Sequence, residues 1–445
     1  MQKFIFKKFS LFTPFQSLTL GYFLIAFIGA AILTLPIASA NNTSQSFVDA
    51  FFTASSAITT TGLIVVDTGT YYSLFGQIVI LVLFQIGGLG YMIFFGLILY
   101  LFRRKPSLKG RLGFQESLVG ITLSNAKKFI KRIVLTTLFI EIAGTILLTL
   151  AWRHDFPINK AVYQAFFHSV SAFCTAGFSL FPDSITTWKN NGFVNIVILI
   201  ITLAGSLGFF VLFDLGRFIR EKGRHRLHTH TKLVLITTAF LIIAGTIALA
   251  ISNPPTASDI TSSALFAQFQ AASASTTTGF NTVDIGAMNN FSLLVLILLM
   301  VIGASPGGTG GGIKTSTTAT ALMTVRSTMR NQKDINIFSR RIARGTADKA
   351  IAITIIATLI IFADFLILSL TEKGRLLGLL FETVSALGTV GLSTGVTPNL
   401  TVIGRIIISI TMLAGRIGPL AVAVSFARRK YDPGYRYPEA EIFVG

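Results

Sequence analysis

Seven apolar runs of about 20 residues, the length that crosses the roughly 30 Å hydrocarbon core of a bilayer, divide this chain. Hydrophobic residues make up 52% of the sequence and charged residues only 12%, far from the balance of a soluble domain. Only helices and closed barrels satisfy their backbone polar groups in lipid, and runs of this length favour helices. We therefore predict an all-α integral membrane protein. The runs cover residues 18–38, 76–102, 133–152, 193–219, 233–251, 350–370 and 402–426.

The distribution of basic residues predicts the orientation of these spans. Lys and Arg accumulate in cytoplasmic loops. Their alternation along the chain requires one further, interrupted span that begins near Phe291, which gives eight spans with both termini cytoplasmic. Most of the 37 basic residues fall in an N-terminal arm, in segments 103–132, 217–232 and 326–349, and from residue 428 onward.

The first apolar run also has features of a secretory signal peptide. Lys3, Lys7 and Lys8 precede it, and the small residues of segment 38–40 end it. The run is longer than the usual apolar core of a signal peptide, and the pattern described below needs it as a scaffold. We therefore expect an uncleaved first span.

The net charge of +19 and the single cysteine narrow the classes of protein further. The basic residues are spread over the predicted cytoplasmic face of an apolar chain, so anionic lipid explains them better than nucleic acid does. Cys174 alone cannot form an internal disulfide or a cysteine-based metal site. The histidines show no zinc-ligand spacing with acids in an apolar span, and we interpret the His-rich segment 223–230 as a solvated loop.

One pattern occurs four times without gaps: Phe, three residues, Ser-Ala, two residues, Thr, one residue, Gly, then Leu or Phe. Its copies read FTASSAITTTGL from Phe52, FHSVSAFCTAGF from Phe167, FQAASASTTTGF from Phe269 and FETVSALGTVGL from Phe381. Each copy lies on a short apolar stretch whose length suits a re-entrant half-helix. The repeated unit is therefore a span, a pore helix, a glycine loop and a span. The pore helices are predicted at 47–58, 161–173, 262–275 and 377–387, and the units at 1–112, 113–228, 229–344 and 345–430, with a cytoplasmic tail at 431–445.

The physical chemistry of this unit favours a cation at one central site. Four half-helices that end at mid-membrane bring partial negative charge together, and four units predict pseudo-fourfold symmetry around one pore. Glycine lets the following backbone present its carbonyl oxygens, which are tolerated at this depth only along a water- or ion-filled path. Close helix packing by small residues would not explain four copies in one register. The candidate ion ligands are Thr60, Thr61, Gly62, Thr175, Ala176, Gly177, Thr277, Thr278, Gly279, Thr389, Val390 and Gly391, with hydroxyl support from the threonine two residues before each glycine.

Acidic residues follow three of the four glycines. Asp67, Asp183 and Asp284 have Val396 near the equivalent place in the fourth unit. These acids either concentrate cations at an outer mouth or are only solvated. We expect most of the acids in or near the spans to be structural hydrogen-bond partners: Glu141, Asp214, Asp364 and Glu382.

The stretch GASPGGTGGGIKTS, residues 303–316, interrupts the apolar segment that begins near Phe291. It is not a P-loop, because Ile313 separates Gly312 from Lys314, and the dinucleotide-binding spacing fails as well. Such an interruption instead marks a place near a conduction path, where irregular backbone lines a cavity. We predict a half-helix to Ile302, an irregular link, and a second half beginning near Lys314. The candidate gate residues are Gly303, Ser305, Pro306, Gly307, Gly308, Thr309, Gly310, Gly311 and Gly312.

Two charged residues in apolar surroundings, Lys314 and Arg416, complete the candidate gate. Lys314 either bonds to its neighbours and holds a closed conformation or extends to the cytoplasmic surface. Arg416 either hydrogen-bonds to carbonyl groups of the glycine-rich link and limits ion occupancy, or forms a structural pair with an acid such as Asp364.

The four glycine loops, the break after Ile302 and the stretch AGRIGPLAV from Ala414 together resemble the Trk/Ktr/HKT superfamily of potassium transporters over almost the whole chain. The resemblance implies that the four pattern glycines form a selectivity filter, and glycine in all four copies matches the potassium-selective members. None of the loops reads TVGYG, the potassium-channel signature. The resemblance also implies that the 303–312 segment obstructs the pore below the filter and moves to open it, and that a basic residue stands at the position of Arg416.

The partners follow from the same resemblance, which is strongest to the bacterial Ktr branch. Such membrane subunits form homodimers and dock on a cytosolic ring of nucleotide-binding regulatory subunits. The transported ion is K⁺, with Na⁺ as an activator in this branch, and no organic cofactor is expected in this chain. The implied location is the bacterial cell membrane, with no role for nucleic acid.

These observations predict potassium-selective, channel-like movement into the cell. An alternating-access carrier coupled to Na⁺ or H⁺ is the alternative, but it requires a buried titratable site between inverted repeats, whereas these units run in one direction. The sequence offers no ATP site, acid–base pair or nucleophile, so we do not expect an enzyme. A structural scaffold would not require four glycine loops in one register.

Overall fold

The computed structural model describes residues 14–90, 123–222, 224–252 and 260–426. The helices up to Arg220 are α1 Pro14–Leu33, α2 Phe47–Ile58, α3 Thr68–Tyr71, α4 Leu74–Leu89, α5 Leu123–Trp152, α6 Ile158–Phe173, α7 Gly192–Ser206 and α8 Phe209–Arg220. The later helices are α9 Thr229–Ser252, α10 Ile260–Ser275, α11 Asn290–Val301, α12 Thr315–Met329, α13 Arg344–Thr371, α14 Leu376–Gly388, α15 Val402–Ile417 and α16 Pro419–Phe426. The predicted N-terminal arm, most of segment 103–132 and the tail 431–445 lie outside the described residues.

Within the described parts of the chain, four helices are long and apolar enough to cross a membrane on their own: α1, α5, α9 and α13, with mean hydropathy from 1.8 to 2.7. They expose large hydrophobic side chains; Phe139, Phe240 and Leu359 are 73%, 66% and 63% exposed. An apolar outer surface of this kind suits contact with lipid. These helices agree with the predicted helical membrane protein.

The second span of the units is divided more often than the sequence analysis predicted. The prediction placed one interruption, at 303–312, but α7 and α8 also form a broken pair bent by 108°, and α15 ends before Gly418. Gly90 and Gly418 directly follow α4 and α15, and Gly208 lies in the break between α7 and α8; their φ angles are +79°, +100° and +91°. An apolar run conceals such a break, because hydropathy does not report the backbone conformation that glycine permits.

The four short helices α2, α6, α10 and α14 lie where the pore helices were predicted. Their helical neighbours connect them in a cycle: α4 packs on α6, α7 on α10, α11 on α14, and α15 on α2. The second helix of each unit therefore contacts the short helix of the next unit, and the last returns to the first. The Phe that begins each pattern is fully or almost fully buried in this arrangement: Phe52, Phe167, Phe269 and Phe381.

A small β-hairpin in the basic segment 326–349 departs from the all-α prediction. β1 Ile335–Ile337 pairs antiparallel with β2 Arg340–Ile342. Phe338 and Ser339 join the strands with φ of +46° and +60°, the left-handed conformation of a two-residue hairpin turn. The turn residues are Phe338 and Ser339 rather than the Asn-Gly or Asp-Gly pair that is typical of this turn, so the hairpin was not predicted.

Candidate functional site

Each of the four short helices ends in the same backbone arrangement. The threonine two residues before each pattern glycine is left-handed, with φ between +50° and +57°. In the first unit Thr60 N donates to Ala57 O (3.0 Å), and Thr61 N donates to Ser56 O (2.8 Å). The other units repeat both bonds at 2.8 to 3.3 Å, the pairing that closes a helix in a Schellman motif. The Ser-Ala pair of the pattern thus supplies the carbonyl groups that end the helix.

The pattern serine also holds the glycine loop through its side chain. Gly62 N donates to Ser56 Oγ (3.0 Å), and the fourth unit makes the same bond at 3.1 Å. In the second unit Ser171 Oγ instead donates to Phe178 O (2.8 Å), and the third unit makes that bond at 2.7 Å. The sequence analysis recognised this serine as part of a pattern without assigning it this role.

The four pattern glycines lie in a closed ring, called the glycine ring below. A methyl group on Gly62 would lie 2.5 Å from the carbonyl oxygen of Ala176, and one on Gly177 would lie 2.4 Å from that of Thr278. The same contact runs from the third unit to the fourth (2.1 Å) and from the fourth back to the first (2.0 Å). All four glycines have φ between +66° and +94°. The ring therefore excludes side chains by both space and backbone conformation, and it gathers the loops predicted as ion ligands.

The 303–312 loop lies against the threonines next to the glycine ring. Thr60 Oγ1 donates to Thr309 O (3.2 Å), and Gly311 N donates to Thr389 Oγ1 (2.9 Å). Thr175 Oγ1 lies 3.1 Å from Thr309 Oγ1. These hydroxyl groups, for which we predict a supporting role at an ion, also hydrogen-bond to this loop.

Thr277, the pattern threonine of the third unit, meets the loop without a hydrogen bond. A methyl group on Gly310 would lie 2.0 Å from Thr277 Oγ1. That hydroxyl has no hydrogen-bond partner among the described residues. The glycine-rich composition of the loop is therefore required for close approach to the threonines.

The two ends of the 303–312 loop are joined at its base. Gly303 N donates to Ile313 O (2.8 Å), and Ile302 forms a bridge with Ile313. The Oγ atom of Ser305 lies 2.8 Å from Thr315 Oγ1. With α11 ending at Val301 and α12 beginning at Thr315, the structure agrees with the predicted half-helices around an irregular link.

The break between α7 and α8 holds the same loop through its backbone. Thr309 N donates to Gly205 O (3.1 Å), and Phe209 N donates to Gly307 O (3.1 Å). A third backbone bond, between Ser305 N and the carbonyl of residue 206, measures 3.0 Å. The second unit therefore supports the interruption of the third, a contact that the sequence analysis did not predict.

Three second helices share a Gly-x-x-Gly motif that the sequence analysis also missed, at Gly87–Gly90, Gly205–Gly208 and Gly415–Gly418. A methyl group on the first glycine of each motif would lie 1.9 to 2.0 Å from a carbonyl oxygen of a short helix. That carbonyl belongs in each unit to the residue four positions before the ring glycine. The motif thus fixes the packing of second helix on short helix, and its threefold recurrence was a signal available in the sequence.

Arg416 and Lys314 both donate to carbonyl groups of the 303–312 loop. Arg416 Nη1 donates to Thr309 O, and its Nη2 donates to Gly87 O. Lys314 Nζ donates to Gly310 O (2.6 Å) and to the next carbonyl oxygen (3.3 Å). Hydrogen bonds from charged donors are stronger than those between neutral groups. Arg416 therefore connects the loop to α4, and Lys314 connects it to the start of α12.

Two of the acids in or near the spans, Glu382 and Asp364, accept hydrogen bonds from neutral groups. Glu382 accepts from Ser393 Oγ (2.7 Å) and Thr394 N (2.9 Å). Asp364, which was considered as a partner of Arg416, accepts from Thr411 Oγ1 (2.5 Å). These contacts are of the structural kind that the sequence analysis expected.

Residues beyond the glycine loops stabilise short turns. Asp67 accepts from the N–H three residues later (2.8 Å), and Asp284 accepts from the N–H two residues later (2.9 Å), so both acids cap helical turns. Behind the first loop, Tyr72 donates to Gln45 Oε1 (2.8 Å). Burial raises the pKa of Tyr72 to about 12, which keeps this hydroxyl protonated.

The sequence has relatives of similar length. It matches the family described as TrkH, cation transport protein, over residues 6–432. It is 39% identical over 438 residues to the Ktr system potassium uptake protein B of Bacillus subtilis (strain 168), covering 98% of this chain and 97% of the relative. The protein of the same name from Vibrio alginolyticus is 39% identical over 95% of this chain and 94% of its own length. The potassium/sodium uptake protein NtpJ of Enterococcus hirae is 32% identical over 97% of both chains.

The fold is similar to a crystal structure of the potassium transporter TrkH from Vibrio parahaemolyticus. The TM-score is 0.75 at 20% sequence identity, with 93% of this chain and 84% of that chain covered. The chain belongs to the TrkH/Ktr family of cation transport proteins. This membership confirms the resemblance found in the sequence, and the family description is one of cation transport.

Proposed function

We propose that this chain carries potassium into the cell through the glycine ring. The observation that carries the proposal is the closed cycle of contacts among Gly62, Gly177, Gly279 and Gly391. Four helix C-termini, each with partial negative charge, end beside this ring and favour a cation. Backbone carbonyl groups that replace a hydration shell are a basis of potassium selectivity. The Ktr system relatives are named potassium uptake proteins, which supports potassium as the ion.

The ion ligands in this proposal are backbone carbonyl groups. Three of the four pattern threonines hydrogen-bond to the 303–312 loop through their hydroxyl groups. Their main-chain carbonyl oxygens remain available to bind the ion. Ligand oxygens come from the four triplets that end at the ring glycines, residues 60–62, 175–177, 277–279 and 389–391.

The proposed architecture is four units of span, short helix, glycine loop and span around one pore, eight spans in all. The long helices α1, α5, α9 and α13 supply the first spans, and the divided second helices supply the others. The alternation of basic segments supports both termini being cytoplasmic. The bacterial cell membrane is the proposed location.

We propose that the 303–312 loop is the gate of this pore. Its hydrogen bonds with the threonines beside the glycine ring support a position in the path of an ion that leaves the ring. Lys314 and Arg416 stabilise this closed arrangement by donating to carbonyl groups of the loop. Opening requires the loop to exchange these bonds for others.

The proposed partners are a second copy of the chain and a cytosolic ring of nucleotide-binding regulatory subunits. Two relatives are named as protein B of a Ktr system, which supports an assembly with further components. The Enterococcus relative is named for potassium and sodium, which supports a role for Na⁺ as activator or second ion. The basic segments 103–132, 217–232 and 326–349 offer the positive charge for contact with a cytosolic partner.

Gly62→Ser tests the assignment of the glycine ring as a filter. Gly62 has φ of +94°, and its Cβ position lies 2.5 Å from the carbonyl oxygen of Ala176. A serine side chain must therefore displace the ring backbone. We expect the preference for potassium over sodium to fall by about tenfold, equivalent to roughly 1.4 kcal/mol. Rubidium uptake into reconstituted vesicles, with potassium and sodium as competitors, measures this preference.

Gly395→Ser is the matched control for this experiment. Gly395 has φ of +87° but no atom within 4 Å of its Cβ position. The control therefore introduces the same substitution and similar backbone strain away from the ring. Unchanged ion preference in a folded, active Gly62→Ser protein contradicts the filter assignment.

A further inference from the structure

A cluster of potential metal ligands is formed by α8 and the segment that follows it, outside the proposed ion path. Asp214 is buried on this helix, and the segment that follows brings His225 and His228 over its carboxylate. His225 Nε2 and His228 Nδ1 each lie 2.7 Å from Asp214 Oδ1. One ligand atom from each residue lies within 4.8 Å of the other two. From the sequence, segment 223–230 is interpreted as a solvated loop, because its histidines show no zinc-ligand spacing with acids in an apolar span.

We propose that Asp214, His225 and His228 form a binding site for a transition-metal ion of the Zn²⁺ type. Two imidazole nitrogens and one carboxylate oxygen are ligands that Zn²⁺ prefers. Mg²⁺ and Ca²⁺ prefer sites made of oxygen atoms. Basic residues such as Arg224 and Arg226 stand in the same segment, and they disfavour a cation held by charge alone. Coordination by neutral nitrogen atoms is less sensitive to that repulsion.

Small movements convert the hydrogen-bonded cluster into a coordination shell. Zn²⁺ with tetrahedral bonds of about 2.1 Å separates its ligand atoms by about 3.4 Å. Each ring nitrogen must therefore withdraw from Asp214 Oδ1 by about 0.7 Å, which a side-chain rotation supplies. The side chain of His228 is 57% exposed, so the ion has a path from solvent and water can take the fourth position.

The carboxylate is already oriented for this role. Asp214 Oδ2 accepts the backbone N–H of His228 at 3.0 Å, and a hydrogen bond of this kind orients a metal-ligating carboxylate. Oδ1 remains for the ion. Without metal, each facing ring nitrogen carries the proton that it donates to Oδ1. With metal bound, that nitrogen offers its lone pair, and the proton of the neutral ring lies on the other nitrogen.

Zinc titration of the full chain in lipid nanodiscs tests the site. The affinity tag is removed and bound metal is stripped with a chelator before calorimetric titration with Zn²⁺. We expect one site per chain, with affinity reduced at least about tenfold in His228→Ala and in Asp214→Asn. Zn²⁺ should also raise the thermal unfolding midpoint of the unaltered chain, since a ligand of the folded state stabilises it, and should do so less in the variants.

His154→Ala is the matched control. His154 is exposed and lies in the turn between α5 and α6. Its ring accepts a hydrogen bond from Arg153 and makes none to the three residues of the cluster. We expect its zinc affinity to equal that of the unaltered chain. His228→Ala removes a largely exposed side chain, so its loss of affinity is not a consequence of lost packing. Absence of a stoichiometric site, or unchanged affinity in His228→Ala and Asp214→Asn, overturns the proposal, whatever the chain transports.

Discussion

Thr309 connects the glycine-rich loop by hydrogen bonds to residues of the three other units. Its carbonyl accepts from Thr60 and Arg416, and its hydroxyl donates to Phe173 O (3.0 Å). Its N–H donates to Gly205 O (3.1 Å). Contacts with the first, second and fourth units thus meet at one residue of the third. A change at any of these partners is expected to alter the stability of the closed conformation.

At this scale, Arg416→Gln is expected to increase ion uptake. The substitution removes charged donors to Thr309 O and Gly87 O. A hydrogen bond to a charged group contributes about 1.5–3 kcal/mol. If these bonds exist only in the closed conformation, losing one shifts the balance toward opening by about tenfold or more. Initial rates of rubidium uptake per folded molecule measure the effect.

Arg405→Gln is the control on the same helix. Arg405 donates to Asp49 and to the carbonyl of Pro398 and makes no contact with the 303–312 loop. Its substitution should leave the uptake rate near that of the unaltered chain. Equal rates in Arg416→Gln, Arg405→Gln and the unaltered chain would exclude Arg416 from gating.

At the scale of elements, the second helices carry the differences among the four units. α4, α7 and α15 each carry a Gly-x-x-Gly motif whose second glycine, just beyond the end of the helix, has a positive φ, whereas the corresponding region of the third unit is the 303–312 loop. The short helices and their glycine loops remain alike. The repeated elements therefore build the ring, and the element that departs from the repeat lies against it.

Deleting residues 307–312 tests the loop as a whole. The bond between Gly303 and Ile313 holds the ends of the loop together (2.8 Å), so we expect the shortened chain to fold. Uptake should rise because the contacts with the threonines are lost. A stable deletion protein with equal or lower uptake would contradict the role of the loop as an obstruction.

A substitution within the loop provides a milder test of the same element. Thr309→Val removes the hydroxyl bond to Phe173 O (3.0 Å) while keeping the side-chain volume. Thr309→Ser keeps the hydroxyl and serves as its control. We expect Thr309→Val to increase uptake less than the deletion does and Thr309→Ser to leave it nearly unchanged.

At the scale of the whole molecule, the short helices and the second helices contact one another in a single cycle. Each second helix packs on the short helix of the next unit, and the last packs on the first. This arrangement favours one central path over two halves that rock against each other. A carrier would instead need a titratable site between inverted repeats, and Glu382 and Asp364 are engaged by neutral donors of nearby segments.

A membrane potential alone should therefore drive ion movement. We expect potassium uptake into vesicles that have equal sodium concentration and equal pH on both sides when the interior is made negative. An imposed sodium or proton gradient without a potential should give no sustained uptake. A fixed ratio of potassium to sodium or proton transported would favour the alternating-access alternative.

The amino-acid pattern was sufficient for the membrane class, the four short helices, the register of the glycine loops and the interruption at 303–312. These features are local, because span length, helix-ending glycines and repeated spacing are properties of consecutive residues. The order of the units along the chain also predicted that the loops belong to one arrangement.

The remaining features depend on contacts between segments distant in the chain. Thr60 and Thr389 lie far apart in the sequence, yet both hydrogen-bond to the 303–312 loop. The breaks at Gly208 and Gly418 were hidden in apolar runs, and Asp214 meets its histidines only after α8 turns away from α7. Hydropathy and spacing describe which residues favour lipid or a turn; the partner of a hydroxyl, a carbonyl or a carboxylate is fixed only when the whole chain packs.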